Sequence, residues 1–183
     1  MKKIFLTADQ LLEDSFALAE KIFISGFRPN FIIGVWRGGA PVGIAIQEYL
    51  DYVGVASDHI AIRTSSYYGI DKQNKNVRVY ALQYVIENVN ADDKVLLVDD
   101  VFDSGLSIQA ILDTLSTRAR RNMPTDIRVA CPWFKPARNK TKLKPDYYIN
   151  QTDDWLVFPH ELQGLTMEEI SAGKPELAKY IKK

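Results

Sequence analysis

Apolar residues along this chain fall into two rhythms. Continuous runs at Phe31-Ile32-Ile33-Gly34-Val35, Val95-Leu96-Leu97-Val98 and Ile127-Arg128-Val129-Ala130-Cys131 have the length of strands buried on both faces. Elsewhere apolar positions recur at helical spacing, as in Leu11, Leu12, Phe16, Leu18, Ala19, Ile22 and Phe23, and again in Ile108, Ile111, Leu112 and Leu115. The first helical set predicts a helix from about Ala8 to Ser25, opened by Thr7-Ala8-Asp9-Gln10 at capping-box spacing and stopped at Gly26. A second helix should start at Ala40-Pro41, with proline in the first turn where it is tolerated, and run through Ile44, Ile46 and Leu50. Shorter strands are expected at Ile60–Arg63, near Val77–Leu82, in the Tyr84–Val89 region and at Pro145–Ile149. The polar stretch Thr64–Asn76 reads as a long connection. Strands alternating with helices predict an α/β fold with a mainly parallel central sheet, whose site lies on loops at the carboxyl ends of the strands.

Composition narrows the function. At 183 residues the chain has the size of one domain with a sizeable core, and Lys plus Arg balance Asp plus Glu at 23 each. A formal charge of zero gives no support to a broad nucleic-acid or membrane-surface face. The single Cys131 excludes an intrachain disulfide, and with only two histidines a structural zinc site is not expected. No apolar run approaches transmembrane length, and Met1-Lys2-Lys3-Ile4-Phe5-Leu6 gives way to polar residues too soon for a signal peptide, so a cytoplasmic location is expected.

The candidate chemistry sits at Val95–Ser107. The apolar run ends in Asp99-Asp100, and after Val101-Phe102 comes Asp103-Ser104-Gly105-Leu106-Ser107, which opens into the helical pattern from Ile108. Loop and first-turn N–H groups at a helix start have no intrahelical partners and can hold a phosphate. Three carboxylates in five positions would repel that phosphate unless they faced hydroxyls or a metal ion. A sugar phosphate meets both demands, its phosphate in the turn and its vicinal hydroxyls donating to Asp99 and Asp100. A nucleotide site of the G-x-x-x-x-G-K-[ST] kind is absent, because the only Gly-Lys is Gly173-Lys174, followed by proline. A G-x-G-x-x-G dinucleotide fingerprint is absent too. A second anion loop is read at Arg37-Gly38-Gly39, where bare backbone N–H groups between a strand and a helix could hold a pyrophosphate.

These segments resemble the type I phosphoribosyltransferases, enzymes of phosphoribosyl pyrophosphate (PRPP), and within them the 6-oxopurine (hypoxanthine/xanthine-guanine) group. The signature is an apolar run, two acids, two apolar residues and Asp-Thr/Ser-Gly-x-Thr/Ser; here Phe102 replaces an aliphatic residue and Ser104 and Ser107 replace threonines. Trp36 replaces the small residue that precedes Arg-Gly-Gly in the group. The resemblance implies a PRPP site at Asp99, Asp100, Asp103, Ser104, Gly105, Leu106 and Ser107, with Asp103 exchanging a proton with purine N7. It further implies a flexible loop starting at Ser65-Ser66-Tyr67, a base site at Lys135, Trp155 and Leu156, and Mg2+ near Asp99, Asp100 and Glu161, bound mostly through substrate and water. The same source implies one domain over 1–183 with a small hood at about 134–165 and a helical tail at about 166–183. The expected partners are PRPP and a free 6-oxopurine base, with no nucleic acid or membrane, in a homo-oligomer (dimer or tetramer). His160 reads as a surface residue. The rival expectation is a PRPP-sensing regulator that keeps the fold without base transfer; pyrimidine phosphoribosyl transfer leaves Lys135-Pro136 and Trp155 unaccounted for.

Overall fold

Alternate residues of one central strand face two different helix layers, which is why that strand contains almost no polar side chain. The computed structural model describes residues 2–68 and 75–181. After a short strand β1 (Lys3–Phe5) and helix α1 (Ala8–Ile24), strand β2 (Phe31–Trp36) runs through the middle of the molecule. On β2, Phe31, Ile33 and Val35 belong to one buried cluster and Ile32 to the other. Helix α2 (Gly39–Tyr52) packs beside α1 over the Ile32 face, burying Leu18, Ile22, Ile46 and Leu50 completely. Full burial of one such side chain is worth about 1.5–3 kcal/mol, so this layer anchors the sheet.

Strand β3 (Asp58–Tyr68) pairs parallel with β2, and β4 (Lys75–Tyr80) returns antiparallel to it from Arg63↔Tyr80 to Tyr68↔Lys75. The polar sequence from Thr64 to Tyr68 is thus strand rather than loop. Ser65, Ser66 and Tyr67 pair with Arg78, Val77 and Asn76 in the register of β4. Backbone pairing on an edge hairpin does not require apolar side chains, so hydrophobic pattern could not find it. The expected loop's centre, 69–74, lies outside the described residues. The region expected as a strand at Tyr84–Val89 is instead helix α3 (Gln83–Asn88), which buries Val85 alone at 0% exposure. One buried residue per turn is a helical pattern too short for its period to be read.

Strand β5 (Lys94–Val98) lies parallel to β2 on the side away from β3, and β7 (Asp126–Phe134) lies parallel beyond it. A two-residue strand β6 (Val101–Phe102) resumes against the far end of β7, so Asp99 and Asp100 interrupt one nearly continuous edge. Helix α4 (Leu106–Ala119) covers the other face through Ile108, Ile111 and Leu115 together with Val95, Leu97, Val129 and Cys131. Burial pushes the Cys131 thiol pKa up, which keeps it an inert core group. Strand β8 (Tyr147–Gln151) pairs parallel with β7. The sheet order β4-β3-β2-β5-β7-β6 places β2 and β5 side by side where the winding reverses direction, the position at which open α/β sheets bind ligands.

A second small sheet pairs β1 in parallel with β9 (Trp155–Val157), from Lys3↔Trp155 to Phe5↔Val157. Helices α5 (Met167–Gly173) and α6 (Pro175–Ala178) follow, with a break at Lys174 between them. Thr166 and Glu169 form a reciprocal capping box at the start of α5. At α1 only half of the expected box forms: Thr7 Oγ1 accepts from Gln10 N at 3.1 Å, while the Gln10 amide donates to Asp14 at 3.1 Å. No helix among the described residues is long and apolar enough to cross a membrane.

Candidate functional site

The two anion loops read from sequence are in physical contact. β2 ends in Trp36-Arg37-Gly38-Gly39 and β5 ends in Asp99-Asp100, and the strands are neighbours, so their exits meet. The Trp36–Arg37 peptide bond is cis. A Cβ on Gly38 would overlap the Asp100 carboxylate, and one on Gly39 would overlap the Val98 carbonyl oxygen and stand 3.0 Å from Asp99 Cα. The Gly-Gly pair therefore lets one loop press its backbone against the acids of the other, a demand that the sequence does not announce.

Asp99 and Asp100 share this crowded corner. Asp99 N–H donates to Ala130 O at 3.1 Å, and Asp100 N–H donates to Asp99 Oδ1 at 3.0 Å. Burial and the adjacent Asp100 charge push the Asp99 pKa well above the ordinary carboxylate range. The sign follows: a carboxyl more easily protonated in the folded chain subtracts stability as pH rises from about 4, the unfolded value, towards its folded value. Asp99→Asn keeps an acceptor at Oδ1 and removes the charge. In ligand-free protein it is expected to raise the thermal midpoint at neutral pH, by a margin that shrinks as pH falls towards 4. Thermal melts across that range check the expectation, and a variant melting lower than the parent at pH 7 contradicts it.

The turn after β6 builds the second part of the site. Gly105 sits at φ 75°, left-handed, and a Cβ there would stand 2.5 Å from Thr141 Oγ1 and 2.9 Å from Phe102 Cζ. Glycine is thus required twice over, by backbone conformation and by space. Ser104 Oγ accepts from Leu106 N at 3.4 Å, and Thr64 Oγ1 donates to Ser107 Oγ at 3.4 Å. Lys140 N–H donates to Ser104 O at 3.0 Å, so the segment after β7 braces the turn. Asp99, Asp100, Asp103, Ser104, Gly105 and Ser107 line a cavity of about 190 Å³. Its size and its hydroxyl and backbone lining suit a phosphate with part of a sugar.

A larger cavity of about 480 Å³ adjoins it, lined by Arg37, Asp100, Asp103, Lys135, Arg138, Trp155, Leu156, Phe158 and Glu161 among others. Lys135, which would be solvated in an ordinary loop, is only 5% exposed, with Nζ 3.5 Å from Asp103 Oδ2. Arg138 Nε donates to Asp103 Oδ1 at 2.8 Å. Two cations therefore hold one carboxylate. Sequence reading missed Arg138, which falls in a 3-10 turn, Pro136–Arg138; its spacing of three from Lys135 was the available signal. Trp155 is 46% exposed and faces this cavity rather than the core, while Leu156 is buried at its floor. Glu161 lines the same cavity, and its Oε2 accepts from Phe158 N at 3.3 Å. His160 is exposed as expected, yet its Nε2 lies 3.6 Å from Asp100 Oδ2, placing it at the edge of the site. A further cavity, of about 740 Å³, lies beside Arg37 against α1 and α2; it is mostly apolar and carries no acid.

The family model for the phosphoribosyl transferase domain matches residues 5–163. The chain belongs to the phosphoribosyltransferase family. It is 26% identical over 157 residues to the bifunctional protein PyrR of Corynebacterium diphtheriae, covering 82% of this chain and 80% of the relative. It superposes on the purine phosphoribosyltransferase of Pyrococcus horikoshii with a TM-score of 0.70 at 28% identity, over 91% of this chain and 98% of that one. The Helicobacter pylori xanthine-guanine-hypoxanthine phosphoribosyltransferase shares the fold, at TM-score 0.66 and 22% identity over 86% and 92% of the two chains. Both cavities of the site lie within the matched segment, apart from Gly164 at the rim of the larger one.

No three Asp, Glu, His or Cys side chains among the described residues converge into a ready-made metal cluster. The donors present are hard oxygens: Asp99 and Asp100 line the smaller cavity, and Asp100 and Glu161 the larger one. That set fits a magnesium ion that keeps several waters and takes other ligands from a bound phosphate ester.

Proposed function

We propose that this protein transfers the phosphoribosyl group of PRPP to a 6-oxopurine, giving a nucleoside 5'-monophosphate and pyrophosphate. The 5'-phosphate lies in the turn Asp103–Ser107, the ribose hydroxyls donate to Asp99 and Asp100, and the pyrophosphate rests on Arg37, Gly38 and Gly39. Magnesium, held by Asp99, Asp100 and Glu161 chiefly through substrate and water, would neutralise the leaving pyrophosphate. The base stacks on Trp155, and Asp103 exchanges the proton at N7 as the glycosidic bond forms.

Lys135 carries the choice of base. A lysine ammonium has three donors and no acceptor, so it satisfies a carbonyl oxygen at the purine 6-position and has nothing to offer an amino group there. Lys135 is buried beside Asp103 and lines the same cavity as the exposed Trp155, which supports this reading. The names of two similar structures, a purine and a xanthine-guanine-hypoxanthine phosphoribosyltransferase, point the same way. A product assay with PRPP, magnesium and each of five bases tests the reading. Transfer to at least one of hypoxanthine, guanine and xanthine is expected, with little to adenine. Adenine used as well as hypoxanthine or guanine overturns the base site while leaving the PRPP site standing. Binding of PRPP with transfer to no base favours a PRPP-sensing regulator, the reading that the bifunctional relative keeps in view.

A further inference from the structure

The segment Gly173-Lys174-Pro175 lies beyond the part of the chain that the family model matches, and it contains one of the most deeply buried charged groups in the protein. Lys174 is 3% exposed. Its Nζ donates to Pro159 O at 2.9 Å, to Glu161 O at 2.8 Å and to Phe158 O. An ammonium has three donors, and here all three go to main-chain carbonyls of a single turn. The neighbours of Lys174 fix where it stands. A Cβ on Gly173 would overlap the Phe5 ring, Lys174 N–H donates to Ile170 O at 2.8 Å, and Pro175 opens α6.

The turn so gripped borders the site. Phe158 and Glu161 line the larger cavity, and His160 reaches to 3.6 Å from Asp100. Glu161 N–H donates to Phe158 O at 3.0 Å, and the Glu161 carboxylate accepts from Phe158 N–H, so the turn also closes on itself. Those two bonds leave carbonyls of the same turn converging on one point. Converging carbonyl dipoles repel one another and, once buried, each needs a donor. The Lys174 ammonium supplies one to each from outside the turn, adding at Phe158 O to the bond already made by Glu161 N–H.

We propose that Lys174 is a positioning residue of the site: from the C-terminal helical segment it holds the Phe158–Glu161 turn, and with it Glu161 and His160, against the pyrophosphate side of the cavity. The inference rests on the functional reading above for what the turn faces, and on the three hydrogen bonds alone for how the turn is held.

Lys174→Met keeps the aliphatic stem and removes every donor. Three quantities separate local positioning from general stability in the full-length protein: amide hydrogen exchange residue by residue, PRPP–magnesium affinity by calorimetry, and kcat and KM with the preferred base. The Phe158 and Glu161 amides, which the turn's own hydrogen bonds protect, are expected to exchange about tenfold faster or more, with β2 and β5 protected as in the parent, and PRPP affinity should weaken by about tenfold. KM for PRPP should rise by more than kcat falls, because the turn serves pyrophosphate binding and not the proton transfer at Asp103. Should Lys174→Met fail to fold, Lys174→Gln, which keeps two donors, decides by the same measurements and should show a smaller change in the same direction. Parent-like exchange in the turn and parent-like PRPP affinity in a folded variant overturn the proposal. A parent protein that binds PRPP but transfers to no base, with a turn that still loosens in Lys174→Met, sinks the transferase reading alone.

Discussion

Asp103→Asn should lower turnover by roughly 10²- to 10⁴-fold, the range that general acid-base help contributes, while PRPP binds nearly as before. The carboxylate stands at the junction of the two cavities, held by Lys135 at 3.5 Å and Arg138 at 2.8 Å. Asparagine keeps one acceptor, enough for the shorter Arg138 contact, loses the oxygen that faces Lys135 and cannot take up or release a proton, so PRPP affinity measured beside turnover separates proton exchange from positioning. Steady-state kinetics with calorimetric PRPP titration distinguish the two; turnover equal to the parent's removes Asp103 from the chemistry. The ion pairs have their own part in this. A carboxylate flanked by two cations is pinned in one rotamer before substrate arrives, and reorientation is then not part of the barrier.

Lys135→Ala should collapse the preference for oxopurines over adenine. On the proposed function the parent would reject adenine because a buried ammonium facing an amino group leaves donors unpaired, at a cost of about 1–3 kcal/mol and more for a charged donor, or from fivefold to beyond a hundredfold. Without the ammonium that penalty disappears for adenine, and the hydrogen bond disappears for the oxopurine, so the two rates converge from both sides. Competition between hypoxanthine and adenine at fixed PRPP reads the ratio directly. A ratio unchanged in the variant assigns the selectivity elsewhere. Arg138 keeps Asp103 paired when Lys135 is removed, which limits the collateral loss.

The legibility of this protein in its sequence divides along physical lines. β2, β5 and β7 were readable because burial on both faces forces continuous apolar runs, and α1 and α4 because one buried stripe forces a helical period. The acidic turn was readable because its chemistry is local: between Asp99 and Ser107 every residue but Leu106 lines one small cavity. What escaped was held by contacts between distant segments. The β3–β4 hairpin extends through polar residues on main-chain bonds, and α3 has one buried side chain. Arg138 acquires its partner 35 residues away, and Lys174 finds its acceptors 13 to 16 residues back in another element. A charged residue in such a place looks solvated until the fold encloses it, as Lys135 also shows.

The pairing of β1 with β9 carries a consequence for how the protein comes into being. Lys3, Ile4 and Phe5 wait for Trp155, Leu156 and Val157, across almost the whole matched domain. On a ribosome adding about 5–20 residues per second, the opening strand stays without its partner for on the order of ten seconds or more, while the central sheet between them can already assemble. The wall that presents Trp155 to the larger cavity is thus among the last parts to exist. On the proposed function, a nascent chain would fold the turn for the sugar phosphate before it could hold a base.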